Sequence, residues 1–344
     1  MDYKVLQNIE PYNDIWYKSC FYHAFFPVIN HFDKSILPFI LNDFFVYMLN
    51  TNNNYQSLTL DCLGIRNEED ILKSIGIHVQ CIKSSADIAR DLISAIDCES
   101  PVNIHIDSYY ESIRSDVYKK VHCPHVLLIF GYNKLEKYFH AVEHRYRESV
   151  LFEKRTISYS DIVDSYNGYI KNYHKATRHP TFMKYSLNIC RHDKKKLSCT
   201  FDIWIRDYIN NILRKELEIT QGLNNIKYYS ESIKNIFFDI SALNLNVDNL
   251  LDNLNKIVNY KNAQRYTLLK AFKPEPEIIL LLESIISCWS FVRGIIGKYK
   301  FSGIYDVKSF SLSIEKIIRI YSLEQEYYDK LFSFYKKQGS DIYA

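Results

Sequence analysis

The chain has 344 residues, 47% hydrophobic and 24% charged, a balance that excludes a disordered or membrane-embedded protein and is long enough for two separate cores. With 43 basic against 40 acidic residues the formal charge is only +3, so no strong field favours nucleic acid or an anionic membrane. The one basic run, Lys194 to Lys196, reads as a solvated turn rather than a phosphate-binding patch.

The opening segment, MDYKVLQNIEPYND, has no basic stretch followed by an apolar run, so no secretory signal is read and a cytoplasmic protein is expected. Cys20 to Phe32 and Leu37 to Leu49 carry apolar and aromatic residues on most faces, as buried helices do. Glu68 to Ile75 predicts a short helix ended by Gly76, and Ile77 to Ile82 alternates like a strand. Ser85 can cap a helix over Ala86 to Ile96, with Asp87 in its first turn. Val102 to Ile106, His125 to Tyr132 and Tyr138 to His144 are strand-like, and the polar Asn133 to Lys137 between the last two predicts an antiparallel hairpin. Ile157 to Tyr169 reads as a helix and Phe182 to Cys190 as a final edge strand.

Beyond the polar stretch RHDKKKL, Arg191 to Leu197, strand signals stop. Amphipathic segments at roughly 199–218, 224–243, 247–272, 276–298 and 307–337 predict a helical bundle, with starts marked by Asn246 and Asp248, by Pro274 and Pro276, and by Asp306. The apolar stretch Ile278 to Ile296 is interrupted by Glu283 and Arg293 and is read as a buried helix, not a membrane span. The expected fold class is therefore α+β: a domain with an antiparallel sheet over residues 1–195 and an all-α domain over 196–344. Eight cysteines scattered without short regular spacing predict free thiols rather than a disulfide framework.

Among these thiols Cys20 opens a helix, where the dipole and the first-turn amides favour a thiolate and can hold a developing oxyanion. His125 opens a strand, which fixes its imidazole as a base must be fixed. Glu143 lies near the far end of the paired strand, where a hairpin returns it beside His125 to accept the other ring N–H. Cysteine at a helix start, histidine at a distant strand start and a carboxylate on the next strand is the order of a papain-like catalytic triad. Asn13, with its donor amide, is the oxyanion side-chain candidate. Asp107, after a strand, can bind an amine or cap a turn.

The stretches SCFYHAFFPVINHF, PVNIHIDSYYESIRSDVYKKVHCPHVLLIFGYN and YFHAVEHRY resemble the N-terminal domain of butirosin-biosynthesis protein H and its relatives, over roughly residues 10–150. The resemblance implies a papain-like fold and an acyltransferase. Such an enzyme moves an acyl group from the phosphopantetheine thioester of an acyl or peptidyl carrier protein to an amine-bearing small molecule, in natural-product biosynthesis. It makes Cys20 the acyl-accepting thiol and His125 its base, and singles out Asp107, Tyr109 and Tyr110 as substrate-binding candidates. No free cofactor and no metal are implied, because the phosphopantetheine arm arrives on the partner. Where the related pattern has Asp followed by Pro, this chain has Glu143 and His144, which puts the third catalytic position in question.

Other readings of the same residues stay open. His23, three positions after Cys20, can be a rival base or an aromatic packer. His122, Cys123, His125, His140 and His144 carry zinc-ligand chemistry without ligand spacing, and Cys190, His192 and Cys199 form a weaker set. A thioesterase or cysteine peptidase would use the identical Cys-His pair, and an inactive binding module for a carrier protein or peptide would keep only the cleft. No nucleophile elbow, P-loop or dinucleotide fingerprint is present.

Overall fold

A computed structural model describes residues 1–52, 55–144, 151–175, 180–187 and 198–343. In chain order the first elements are β1 (Tyr3–Val5), α1 (Cys20–His31), α2 (Leu37–Ile40), β2 (Asp43–Asn52), β3 (Tyr55–Gly64), α3 (Glu68–Ser74), β4 (Ile77–Ile82), α4 (Ile88–Asp97) and β5 (Val102–Asp107). A single 3-10 turn, Ser108–Tyr110, then leads toward β6 (Pro124–Asn133), β7 (Tyr138–His144), β8 (Phe152–Ser158), α5 (Tyr159–Tyr169) and β9 (Phe182–Leu187). Five helices complete the chain: α6 (Ser198–Arg214), α7 (Glu216–Phe237), α8 (Ile240–Ala271), α9 (Pro276–Ser302) and α10 (Val307–Tyr343). The chain is mixed α/β, with an antiparallel sheet in its N-terminal region and helices in its C-terminal region.

It divides into two compact units, residues 1–36 with 67–192 and residues 37–66 with 193–344. The first holds a sheet ordered β4-β9-β5-β6-β7-β8, with β1 added to the far end of β6, and all its pairings are antiparallel. The central strands are buried on both faces, which is why Leu127, Leu128 and Ile129 run apolar without alternation and are fully inaccessible. Gly131 is required there by close approach, since a Cβ would lie 2.8 Å from the Lys4 carbonyl oxygen of β1. The hairpin predicted between β6 and β7 is present, with Asn133 paired to Tyr138 and a bulge between Ile129 and Gly131.

Five readings need correction. Leu37–Leu49 is not one helix: only Leu37–Ile40 is helical, and β2 begins at Asp43. An apolar run buried on every side has the same pattern as a helix or as a strand, and the long β2-β3 hairpin was missed for that reason. Ile157–Tyr169 begins as strand β8, and Ser158 caps the helix by accepting from the Asp161 amide. β9 is no edge strand; it lies between β4 and β5. Finally, α4 is capped by Asp87 rather than Ser85, and α8 is capped by Asp239 and starts at Ile240, well before Asn246 and Asp248.

The second unit combines the five helices with α2 and the hairpin, so a cut at residue 196 does not separate the units; the Arg191 to Leu197 stretch with the Lys194 to Lys196 run, Cys190 and His192 lie outside the described residues. Gly222 of α7 meets β2 closely: a Cβ there would stand 2.9 Å from Val46 Cγ1 and 3.1 Å from the Tyr47 oxygen. Lys261 is fully buried, 2.7 Å from Glu324, which also accepts the Tyr47 hydroxyl at 2.6 Å, while Trp289 donates to that hydroxyl at 3.0 Å. The buried ion pair thus ties β2, α8, α9 and α10 together, with the Tyr47, Tyr327 and Tyr328 rings around the ammonium. Among the described residues α9 alone is long and apolar enough to cross a membrane by length and composition. In the unit, its Ile278, Leu282, Ile285, Trp289, Val292 and Ile296 are fully buried.

Candidate functional site

Cys20 is the first residue of α1, and two local features present it. Lys18 adopts a left-handed backbone (φ 50°), a conformation unusual for a side-chain-bearing residue, which turns the chain into the helix. Ser19 occupies the N-cap without a side-chain capping bond, so no hydroxyl occupies the first-turn amides around Cys20. The sulfur is hydrogen-bonded to the His125 side chain and receives the Val126 backbone amide at the start of β6.

His125 Nε2 lies 2.5 Å from Glu143 Oε2, so Nδ1 is the ring nitrogen left for sulfur. Burial works to raise the Cys20 thiol, but the charge and hydrogen bond of His125 and the Val126 amide overcome it and hold the thiol below its ordinary value. Burial likewise opposes the imidazolium, yet Glu143 and then Cys20 raise His125 well above the ordinary histidine value. Burial would raise Glu143 too; His125, by charge and hydrogen bond, and then His144 and Arg114 hold it below its ordinary value. The three sequence-predicted residues therefore come together with the thiol lowered, the imidazole raised and the carboxyl lowered, each shift favouring the charged form.

A fourth residue, absent from the sequence reading, completes the cluster. Arg114 is buried; its Nη1 donates to Glu143 Oε1 at 3.2 Å and to His144 Nε2 at 2.7 Å. Its other edge grips Asp116 through two bonds, Nε to Oδ1 at 2.9 Å and Nη2 to Oδ2 at 2.8 Å. The His144 backbone amide adds a bond to Glu143 Oε1 at 2.7 Å. The Glu-His pair is thus accommodated by a guanidinium that joins both side chains. Arg114 sits in an irregular segment without periodicity, and only its place within the stretch YYESIRSDVYKK marked it.

The other sequence candidates are placed differently. Asn13 is no oxyanion donor here: its Oδ1 accepts from the Phe152 amide at 2.7 Å and its Nδ2 donates to the Phe152 carbonyl at 2.9 Å, clamping the chain before α1 to the start of β8. Asp107 is fully buried and accepts from the Tyr109 amide at 3.1 Å, the Cys123 amide at 3.2 Å and Asn172 at 2.8 Å, with His122 Nδ1 at 2.7 Å. With those donors it caps and fastens the 3-10 turn rather than presenting a carboxylate to a substrate. The Tyr109 ring stacks on His122 at 4.1 Å, and Tyr110 covers Gly168 of α5, where a Cβ would come within 2.5 Å of the ring. Both tyrosines serve that fastening.

His23 is a packer. Tyr17 N–H donates to its Nε2 at 3.3 Å, which leaves Nδ1 to donate to the Tyr12 carbonyl at 3.2 Å. Its ring stacks on Phe152 at 4.5 Å and lies against Trp16 at 4.6 Å, and burial pushes it down to about 4. Neutral and bonded at both nitrogens, it shapes the loop leading into Cys20. Phe152 also meets the His144 ring at 5.0 Å, so Trp16, His23, Phe152 and His144 make an aromatic wall next to the polar cluster.

Among the described residues, His125, Glu143 and His144 are the group whose ligand atoms lie close enough, within 4.8 Å, to hold a metal. They do not fit one. Glu143 spends both oxygens on His125 and Arg114, and His144 Nε2 faces the same guanidinium, whose positive charge opposes a cation. His122 is engaged by Asp107, so the broader zinc set is not assembled. No family model matches the chain, and no curated protein matches it.

Proposed function

We propose that the chain is a papain-like, cysteine-dependent acyltransferase that works on acyl thioesters. The observation carrying this reading is the convergence of Cys20, His125 and Glu143 from a helix start and two adjacent strands. The resemblance over residues 10–150 supplies the substrate class: an acyl or peptidyl carrier protein as donor and an amine-bearing small molecule as acceptor.

The Cys20 thiolate attacks the thioester carbonyl, and the oxyanion forms near the first-turn amides of α1. As the carbon–sulfur bond to the pantetheine arm breaks, the His125 imidazolium gives its proton to the departing thiolate, leaving acyl-Cys20 and neutral His125. The amine then attacks the acyl carbonyl, His125 takes up the amine proton, and expulsion of Cys20 restores the ion pair. Glu143 holds the ring and balances its charge in both halves. The aromatic wall of Trp16, His23 and Phe152 favours an amine over water by limiting hydration beside the thiol. The chemistry requires no metal and is consistent with a cytoplasmic location.

Intact-mass analysis after incubation with acyl-carrier thioesters tests the reading. An acyl adduct is expected in the natural chain and not in Cys20→Ala. Adding candidate amines to the labelled protein should release an amide; release of free acid in their presence points to a thioesterase or peptidase instead. Tight carrier binding with no adduct in either form leaves only a receptor.

A further inference from the structure

Glu111 follows the 3-10 turn and is fully inaccessible, and its carboxyl oxygens have no hydrogen-bond partner beyond a weak pull from the Ser108 hydroxyl. A carboxylate without partners in such a place is costly, whereas a neutral acid is tolerated. Its charged neighbours are those of the active-site cluster: Glu143 from β7, His125 from β6, and Arg114 from its own segment. Arg114 is already committed to Glu143 and to both oxygens of Asp116. From the elements alongside, Asp161 of α5 binds the neighbouring Ser112 hydroxyl, and Arg155 of β8 binds the Ile113 carbonyl at 2.7 Å. Neither bond reaches the Glu111 carboxyl.

We propose that Glu111 is a positioning residue of this site, a buried carboxylic acid kept uncharged so that it does not draw Arg114 from Glu143 and the Glu143 to His125 to Cys20 relay keeps a single carboxylate. Burial first, and then the charge of Glu143, move its ionisation up to about 8, against the pull of His125 and Arg114. Around neutral pH the acid is therefore protonated. Once ionised it would compete with Glu143 for Arg114 and place a second negative charge beside His125. That charge would hold the imidazolium proton more tightly and make it a poorer donor to the departing thiolate. The inference rests on the Cys20 to His125 reading and adds a component to it.

Two measurements on the full chain test it. Infrared spectroscopy at neutral pH should show the carbonyl band of a neutral carboxylic acid that disappears in Glu111→Gln, an isostere of the protonated form. Nitrogen NMR of His125 should show its loss of proton moving to lower pH in Glu111→Gln, because the variant cannot supply the second negative charge. Should that variant fail to fold, the same infrared band in the natural chain is followed as the pH rises past 8, over which it must fade. No neutral-acid band at pH 7, or identical His125 titrations in the two proteins, overturns the proposal. A separate control isolates the underlying reading: if alkylation of Cys20 rises only through the ordinary thiol range, the ion pair itself is absent, whatever Glu111 does.

Discussion

His125 Nε2 and Arg114 Nη1 approach different oxygens of one carboxylate, so Glu143 is held in place by the same contacts that set its charge. Replacing it with Gln keeps the shape and removes the charge that sustains the imidazolium. Because His125 is raised and Cys20 lowered by their mutual charge, the reactive ion pair forms as pH rises through the lowered thiol value and is lost as pH rises through the raised histidine value. Glu143→Gln should therefore pull down the upper, histidine edge of that window while the thiol edge, which the Glu143 charge raises, moves down and not up; the proposed acyl transfer at neutral pH should fall about 10²–10⁴-fold. The pH profile of Cys20 alkylation by iodoacetamide checks it: an unchanged profile would remove Glu143 from the relay. His23 makes the opposite kind of prediction, since it is buried neutral. Its folded value, about 4, lies below the unfolded 6.5, so its stabilisation is fully present above 6.5 and is lost as pH falls toward 4. The loss should be about 3 kcal/mol, read from urea melts of the chain at the two pH values, and His23→Gln should flatten it.

Strand β2 is docked on α7 at the element scale, and glycine is what permits that approach. The turn of α7 at Gly222 leaves no room for a side chain against Val46 and the Tyr47 backbone. Gly222→Val should therefore destabilise the helical unit by about 1–3 kcal/mol through overpacking, despite the poor helix propensity of the glycine it replaces. Thermal melts followed by circular dichroism measure this, and a gain in stability would show that the contact is slack. The elements of the candidate site were legible from local signals. A helix starting at Cys20 and the hairpin joining His125 to Glu143 depend on neighbouring residues and periodicity, which the sequence displays directly. The β2-β3 hairpin was not legible, because Phe44, Phe45, Val46 and Tyr47 are all buried and leave no polar alternation to reveal a strand.

At the scale of the whole molecule the two units interleave along the chain, the helical one taking residues 37–66 from within the sequence of the other. A chain ending after residue 192 would retain the hairpin but lose its helices, exposing Phe44, Phe45 and Val46 along with unpaired strand edges. Such a truncation should aggregate. Removing residues 37–66 as well and bridging the gap with a linker should restore solubility, since the Arg66 amide at one end of the excised segment bonds Asn42, a few residues from the other. Size-exclusion chromatography distinguishes the outcomes; a monodisperse product of the simple truncation would mean the hairpin is stable without the helices.

The sequence by itself determined the mixed α/β class, the C-terminal helices and the candidate trio Cys20, His125 and Glu143 that folding brings together, because each depends on periodicity, end signals or side-chain chemistry carried within a short stretch. Tertiary structure alone decided the partners. Asn13 and Asp107 carry suitable groups for a substrate, but the folded chain engages those groups with Phe152 and with the 3-10 turn and its neighbours. Arg114 and Glu111 belong to a segment with no pattern of its own, and they acquire their roles only where folding brings them beside Glu143. A side chain's chemistry is local, whereas what it is free to bind depends on contacts between residues far apart in the chain.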